Sequence, residues 1–383
     1  MKRLACLLLA ALLLCGCAAG KPAATVPTTQ PATEPVTEPT TEPTTEPTTE
    51  PTTEPAPVYY NPLNGKILEE PFDGRIYAST ISNIPDALPH VGVTHADILM
   101  EMYVNGSIIR CLALFTEPEN AATIGSVRST RLMFNDIVQH YDAVMFHAGG
   151  SSQVRADAAN RGILNFNIDA WEYQKTGIST RDKDRNRFIG WEHCLVLNGP
   201  AVKDFVDAQG IPATGNPEKD YGLIFTENAV PAEGETADII NIKYVYGRSS
   251  KMSIMEYLPE LGKYHYGGIY YEKKIMHTDE VTEEPEAFDN VVVMIADITT
   301  NGIYHTADFV AGGTGYFACG GKIIPIQWTC DGEDQPFRFF TLDGTPLAFN
   351  QGSSYFAICH ADSVITWEAS EIVPEGTAAA TEG

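Results

Sequence analysis

The chain has 383 residues, with 25 Lys and Arg against 50 Asp and Glu, a formal charge of −25 at pH 7. An acidic balance of this size argues against nucleic acid or an anionic membrane face as a partner held by charge. The 8 cysteines include no Cys-x-x-Cys pair and match no disulfide framework.

Taken in order, Met1-Lys2-Arg3 precedes an apolar run from Leu4 to Leu14. That run is too short to cross a ~30 Å hydrocarbon core and reads as a secretory signal. Leu14, Gly16 and Cys17 occupy the −3, −1 and +1 positions of a bacterial lipobox. Residues 1–17 are therefore expected to be a lipoprotein signal with Cys17 as the lipid-attachment site. Residues 18–57 hold six Thr-Glu-Pro units, from Thr33-Glu34-Pro35 to Thr53-Glu54-Pro55. Proline at every fourth position blocks helix and sheet, because it fixes φ and lacks an N–H. A disordered, extended linker is expected, reaching on the order of 100 Å at ~3.1 Å per residue. Without signal and linker, 22 basic residues still face 44 acidic ones, so the acidity belongs to the folded part.

Strand patterns follow over Arg75–Ser82, Ala96–Val104 and Ile108–Thr116, the last two arranged around Asn105-Gly106, a hairpin signal. Ser126–His140 carries an apolar stripe that predicts a helix, Tyr141–His147 a strand, and Ser152–Asn160 and Pro200–Ala208 two more helices. Beyond Pro231 the alternation is β-type, with Gly267-Gly268, Gly320-Gly321 and Asp343-Gly344 as turns. The expected fold class is α+β: an N-terminal mixed α/β module over 58–230, then a C-terminal antiparallel β-rich module over 231–369, a sandwich or rolled sheet, and a disordered tail over 370–383. Cys319 and Cys330 flank a predicted hairpin and are the candidate disulfide pair. Tyr264, Tyr266, Tyr270, Tyr271, Tyr316, Trp328 and Tyr355 are either sheet core or a sugar-stacking face.

The residues with chemical potential gather in the first module. Arg128 and Arg131 lie three apart and would share one helix face, with Arg110 on the preceding strand. Gly149-Gly150-Ser151 follows a strand and opens a helix, where free N–H groups favour anions. Guanidinium groups grip phosphate or carboxylate in bidentate fashion. Arg110, Arg128, Ser129, Arg131, Gly149, Gly150 and Ser151 thus form a candidate anion site. The alternative is a structural network in which the arginines pair with Glu101, Asp136 or Asp169. For catalysis the candidates are His147 or His193 as acid/base, with Asp169 or Glu101 as orienter. The nine histidines show no zinc spacing, so neither metal nor cofactor is expected.

The hairpin over 96–115, the run Ile124-Gly125-Ser126-Val127-Arg128-Ser129-Thr130-Arg131 and the turn His147-Ala148-Gly149-Gly150-Ser151 resemble the YerB-like bacterial lipoprotein family. That family carries Ile-Gly-Pro-Val-Arg-Ser-Ala-Arg and His-Ala-Gly-Gly-Ser; here Ser126 stands for the Pro and Thr130 for the Ala. Arg181 to Arg187 followed by Trp191-Glu192-His193 is an imperfect match to the family's Arg-x-x-Arg and Pro-His-Asn. Gly315, Gly321-Lys322, Trp328 and Asp343-Gly344 resemble its second module. The resemblance covers residues 60 to 368 and implies an envelope protein with no established reaction. Three readings follow. One is a lipid-anchored protein on the extracytoplasmic face of the cell membrane that binds an anionic wall or lipid-linked ligand. The second is an envelope transferase or hydrolase acting on a phosphodiester or glycan. The third is a scaffold for other envelope proteins.

Overall fold

A computed structural model describes residues 58–370. The signal, Cys17, the Thr-Glu-Pro linker and residues 371–383 lie outside the described residues. Strand dominates and helices are few and short.

A 12-stranded sheet is the spine. From one edge it runs through Asn165–Asn167, Val144–His147, Tyr77–Ser82, Ile108–Phe115 and Ile98–Asn105. It continues through Ser354–His360, Asn290–Asn301, Gly313–Cys319 and Lys322–Cys330. Both expected modules therefore supply strands to one sheet. The seam is Ser354–His360, which pairs in parallel with Asn290–Asn301 on one side and Ile98–Asn105 on the other. Val144–His147 also pairs in parallel, with Tyr77–Ser82 and with Asn165–Asn167. The C-terminal stretch was expected to be antiparallel. Its hairpins are, but its strand Ser354–His360 is not: a tight hairpin imposes antiparallel pairing, and this strand reaches both of its neighbours through long connections that do not.

The central strand Ile98–Asn105 is buried from Ile98 to Val104. Its near-continuous apolar run follows from cover on both faces of the sheet. On one face lies a second, six-stranded antiparallel sheet built on Ile239–Tyr246, Ser249–Leu258 and Lys263–Tyr270. Leu99, Tyr103, Cys111, Val293 and Ala357 pack there against Ile240, Ile242, Tyr244 and Tyr266. On the other face the helix Leu132–His140 buries Met133, Phe134, Ile137 and Val138 against Met100, Leu112 and Leu114.

Three local expectations change. The helix begins at Leu132, not Ser126. Ser126 to Arg128 stays extended because Ser82 N donates to Ser126 O (2.9 Å), Arg128 N to Thr80 O (3.0 Å) and Val127 N to Leu195 O (2.8 Å). Sheet partners on both sides outbid the local helical stripe. The hairpin forms as expected, but Asn105 pairs with Ile108 and the two-residue loop is Gly106–Ser107, with Gly106 at φ 55°. Cys319 and Cys330 are both free thiols. Cys319 pairs with Lys322 at one end of the hairpin while Cys330 sits at the far end of Lys322–Cys330. Eight residues of strand separate those ends, on the order of 25 Å, far beyond disulfide reach.

Candidate functional site

Successive strand residues point to opposite faces of a sheet, and this sorts the charges of the first hairpin. Glu101 opposes Cys111, and Arg110 opposes Met102 and Ser82. Glu101 therefore faces the space between the sheets, and Arg110 faces the opposite side.

Arg110 is 5% exposed and forms no ion pair among the described residues. Its one hydrogen bond runs from Nη1 to Ser129 O at 2.7 Å. Burial, with Arg131 and Arg128 close by, pushes its guanidinium down to about 9. Arg131 Nη1 donates to Thr130 O at 2.7 Å, and its buried Nε has no partner. Burial lowers the Arg131 guanidinium; Tyr304 opposes the shift and Arg128 adds to it. Arg128 reaches Glu192, with Nη1 donating to the carbonyl at 2.6 Å and Nη2 lying 3.4 Å from a mostly exposed carboxylate. His193 belongs to the same group: burial and then Arg128 lower its imidazole, and its Nδ1 is buried without a partner.

The carboxylates that would have made these arginines a structural network are engaged elsewhere. Asp136 pairs with Arg161 at 2.5 Å, Asp169 with Arg181 at 2.7 Å, and Glu101 with Lys251. Three arginines thus converge with one exposed carboxylate between them. Arg128 and Arg131 do so from an extended segment and a helix N-cap rather than from one helix face.

The glycine turn plays a different part from the one expected. Gly149, at φ 78°, donates its N–H to Asn167 Oδ1 at 2.7 Å, and its carbonyl accepts from Thr130 N at 3.0 Å. Gly150 O accepts from Arg155, and Ser151 Oγ caps the helix Ser152–Asn160 by accepting from Val154 N. The Thr130 N–Gly149 O bond, with Ala148 N donating to Arg128 O at 2.9 Å, docks the turn against the arginine segment and so holds that segment in place. The expected acid–base set does not assemble either. His147 has both ring nitrogens tied, to Gly149 O and Asn165 Oδ1, and burial lowers its imidazole. Asp169 is held by Arg181 and Gln174, and Glu101 lies on the other face. Of the candidate sugar-stacking residues, Tyr264, Tyr266, Tyr270, Trp328 and Tyr355 are buried core and Tyr271 is exposed. Phe188, which the sequence did not single out, and Trp191, quoted there only within the family match, are 85% and 62% exposed on the segment that carries Glu192 and His193.

Between the sheets lies a second polar constellation, in which both Glu101 oxygens are partnered. Burial would raise the Glu101 carboxyl, but Lys251 and hydrogen bonds from Tyr355 and Ser253 outweigh it and hold the group below its ordinary value. Asn83 Nδ2 donates to both Glu101 and Tyr266 Oη (2.8 Å). Tyr270 Oη joins Asn83 (3.4 Å) to His277 Nε2 (3.0 Å), which leads on to Glu286 and His90. Sequence spacing gave no signal for this last trio, since His90 lies almost two hundred residues from its partners.

A β-rich fold of two interlocked stretches, with buried charge on both faces of its central hairpin, defines a class rather than a reaction. Two family profiles match it: the N-terminal domain of a protein of unknown function (DUF3048) over residues 63–211, and its C-terminal domain over 241–356. The chain belongs to this YerB-like family, whose function is unknown. It is 25% identical over 308 residues to YerB of Bacillus subtilis (strain 168), which carries a provisional lipoprotein name; the match spans 78% of this chain and 85% of that one. The crystal structure of the Bacillus subtilis YerB protein aligns with a TM-score of 0.66 at 21% identity, over 80% of this chain and 99% of that one. That likeness is one of fold.

Proposed function

We propose that the protein is a lipid-anchored envelope lipoprotein that binds an anionic ligand through Arg110, Arg128 and Arg131. The anchor rests on the lipobox at Cys17, on the provisional lipoprotein name of its Bacillus subtilis relative, and on the absence, among the described residues, of a helix long and apolar enough to cross a membrane. The observation that carries the binding reading is Arg110: a guanidinium nine-tenths buried, beside two others, with no carboxylate of its own. A buried charge without a counter-charge costs several kcal/mol, and a bound anion removes that cost. The ligand class is a phosphorylated wall polymer, a lipid-linked precursor or a peptide carboxylate. Exposed Trp191 and Phe188 offer faces on which a sugar ring stacks, which favours the sugar phosphates among these.

The test is thermal shift with phosphorylated wall fragments and simple sugar phosphates. A ligand at 100 times its Kd adds about 2.7 kcal/mol of stability. An Arg110→Met, Arg131→Ala variant loses that shift. Absence of a shift with every anion, or an equal shift in the variant, overturns the reading. A second reading, a transferase or hydrolase on a phosphodiester, is favoured by the unpartnered His193 Nδ1 beside Arg128. Turnover that disappears in His193→Gln while binding persists selects it. Retention of protein partners by the arginine variant selects the scaffold instead.

A further inference from the structure

His90, His277 and Glu286 stand apart from the arginines. His90 comes from the segment ahead of Ile98–Asn105, within the first matched stretch; His277 and Glu286 flank the connection from Lys273–Met276 to Ala287–Phe288, within the second. All three are buried. One donor atom from each lies within 4.8 Å of the other two. His90 Nδ1 is 2.9 Å from Glu286 Oε2, and His277 Nδ1 is 3.5 Å from the same oxygen. The two imidazoles meet nearly at right angles, 87° between planes.

The outer nitrogens decide what sits between the inner ones. His90 Nε2 lies 3.0 Å from Ser82 O, and a carbonyl only accepts, so Nε2 carries the hydrogen. Nδ1 of a neutral His90 is then a lone pair aimed at a carboxylate, a repulsive arrangement unless a cation stands between them. His277 Nε2 is engaged by Tyr270 Oη at 3.0 Å, and its Nδ1 is buried with no hydrogen-bond partner. A proton on His90 Nδ1 settles the first contact and leaves His277 Nδ1 orphaned. A metal ion settles all three donors together. Ligand histidines whose second nitrogen is held by a carbonyl or another polar group are the usual outer layer of a metal site. Two imidazole nitrogens and one carboxylate oxygen suit zinc, for which ligand atoms at ~2.0–2.2 Å from the metal stand roughly 3.3 Å apart in a tetrahedron.

We propose that His90, His277 and Glu286 bind one divalent transition-metal ion, zinc by donor set, which clasps the two matched stretches together. A water completes the coordination. The ion works as a structural cross-link, because its ligands come from both stretches and lie away from the arginine site.

The full chain, stripped with a chelator, is titrated with Zn²⁺ and with Co²⁺. The expected result is one ion per chain, a Co²⁺ spectrum of tetrahedral N/O type that Zn²⁺ abolishes, and a Tm that falls on chelation. His277→Gln keeps the His90–Glu286 contact and hence the fold, and lowers Zn²⁺ affinity at least ~100-fold, since loss of even a supporting residue costs 10–100-fold. His305→Gln, a change at a buried histidine elsewhere, leaves the stoichiometry at one. Absence of stoichiometric uptake by the unmodified chain, or unchanged affinity in His277→Gln, overturns the proposal. Neither result bears on anion binding by the arginines.

Discussion

Glu101 and Arg110 sit on adjacent strands of one hairpin and face opposite sides of one sheet. Both are charged and both are buried. Glu101 is surrounded by Lys251, Tyr355, Tyr244, Ser253 and Asn83, so every oxygen is satisfied. Arg110 has one backbone carbonyl and two more arginines. Burial therefore does not distinguish the two charges; completeness of partnering does. The Glu101 charge is completed from within the fold; under the anion-binding proposal, the Arg110 charge is the one that a ligand would complete.

The largest test of that contrast is Glu101→Ala. It leaves Lys251 uncompensated between the sheets and lowers stability by about 3–5 kcal/mol in urea denaturation. Arg110→Met should move the other way, raising the stability of the ligand-free chain by about 1–4 kcal/mol while abolishing anion binding. If both variants destabilise equally, the contrast fails. Arg131→Ala removes a charge-assisted contact worth about 1.5–3 kcal/mol, read as a roughly tenfold or greater rise in Kd for a sugar phosphate by calorimetry.

The two charges also differ in their response to pH. Arg110 is a base whose value falls on folding to about 9, so its destabilising effect is fully present below about 9 and relaxes as pH rises toward the ordinary arginine value. Anion affinity accordingly falls as pH rises through about 9. The Glu101 carboxyl is held below its ordinary value, so its stabilisation is present above that value and is lost as pH falls through the folded one. Calorimetric titrations from pH 7 to 10 and urea melts from pH 6 to 3 separate the two. The smallest change expected is Gly149→Ala, about 1–2 kcal/mol for placing a side chain at a left-handed φ, with a loosened arginine segment as its readout in anion affinity.

Much of this was legible in the chain. Asn105-Gly106 between apolar runs announced the hairpin within two residues of where it forms, since turn chemistry is local. Arg110, Arg128, Ser129 and Arg131 were singled out and do converge. The helical geometry assigned to Arg128 and Arg131 was wrong because Val127 and its neighbours pair with Tyr77–Ser82 and Leu195–Leu197, contacts that no window of sequence contains. Glu101 was read as a candidate orienter; its partners Lys251 and Tyr355 lie far down the chain and became visible only in three dimensions. His90, His277 and Glu286 were missed for the same reason, having no spacing to recognise.

The strand Ser354–His360 has a temporal meaning as well as a spatial one. Until it emerges, Ile98–Asn105 has its hairpin partner Ile108–Phe115 on one side and, on the other, a bare edge whose residues are almost all apolar. An unprotected edge of that kind invites pairing with other chains, and contacts between residues so far apart in sequence form late. The sheet cannot close until nearly the whole chain is present. Such a chain stays unfolded while it is threaded from one end and locks only once its last strands arrive, and a fragment ending near residue 230 would be sticky rather than merely shorter.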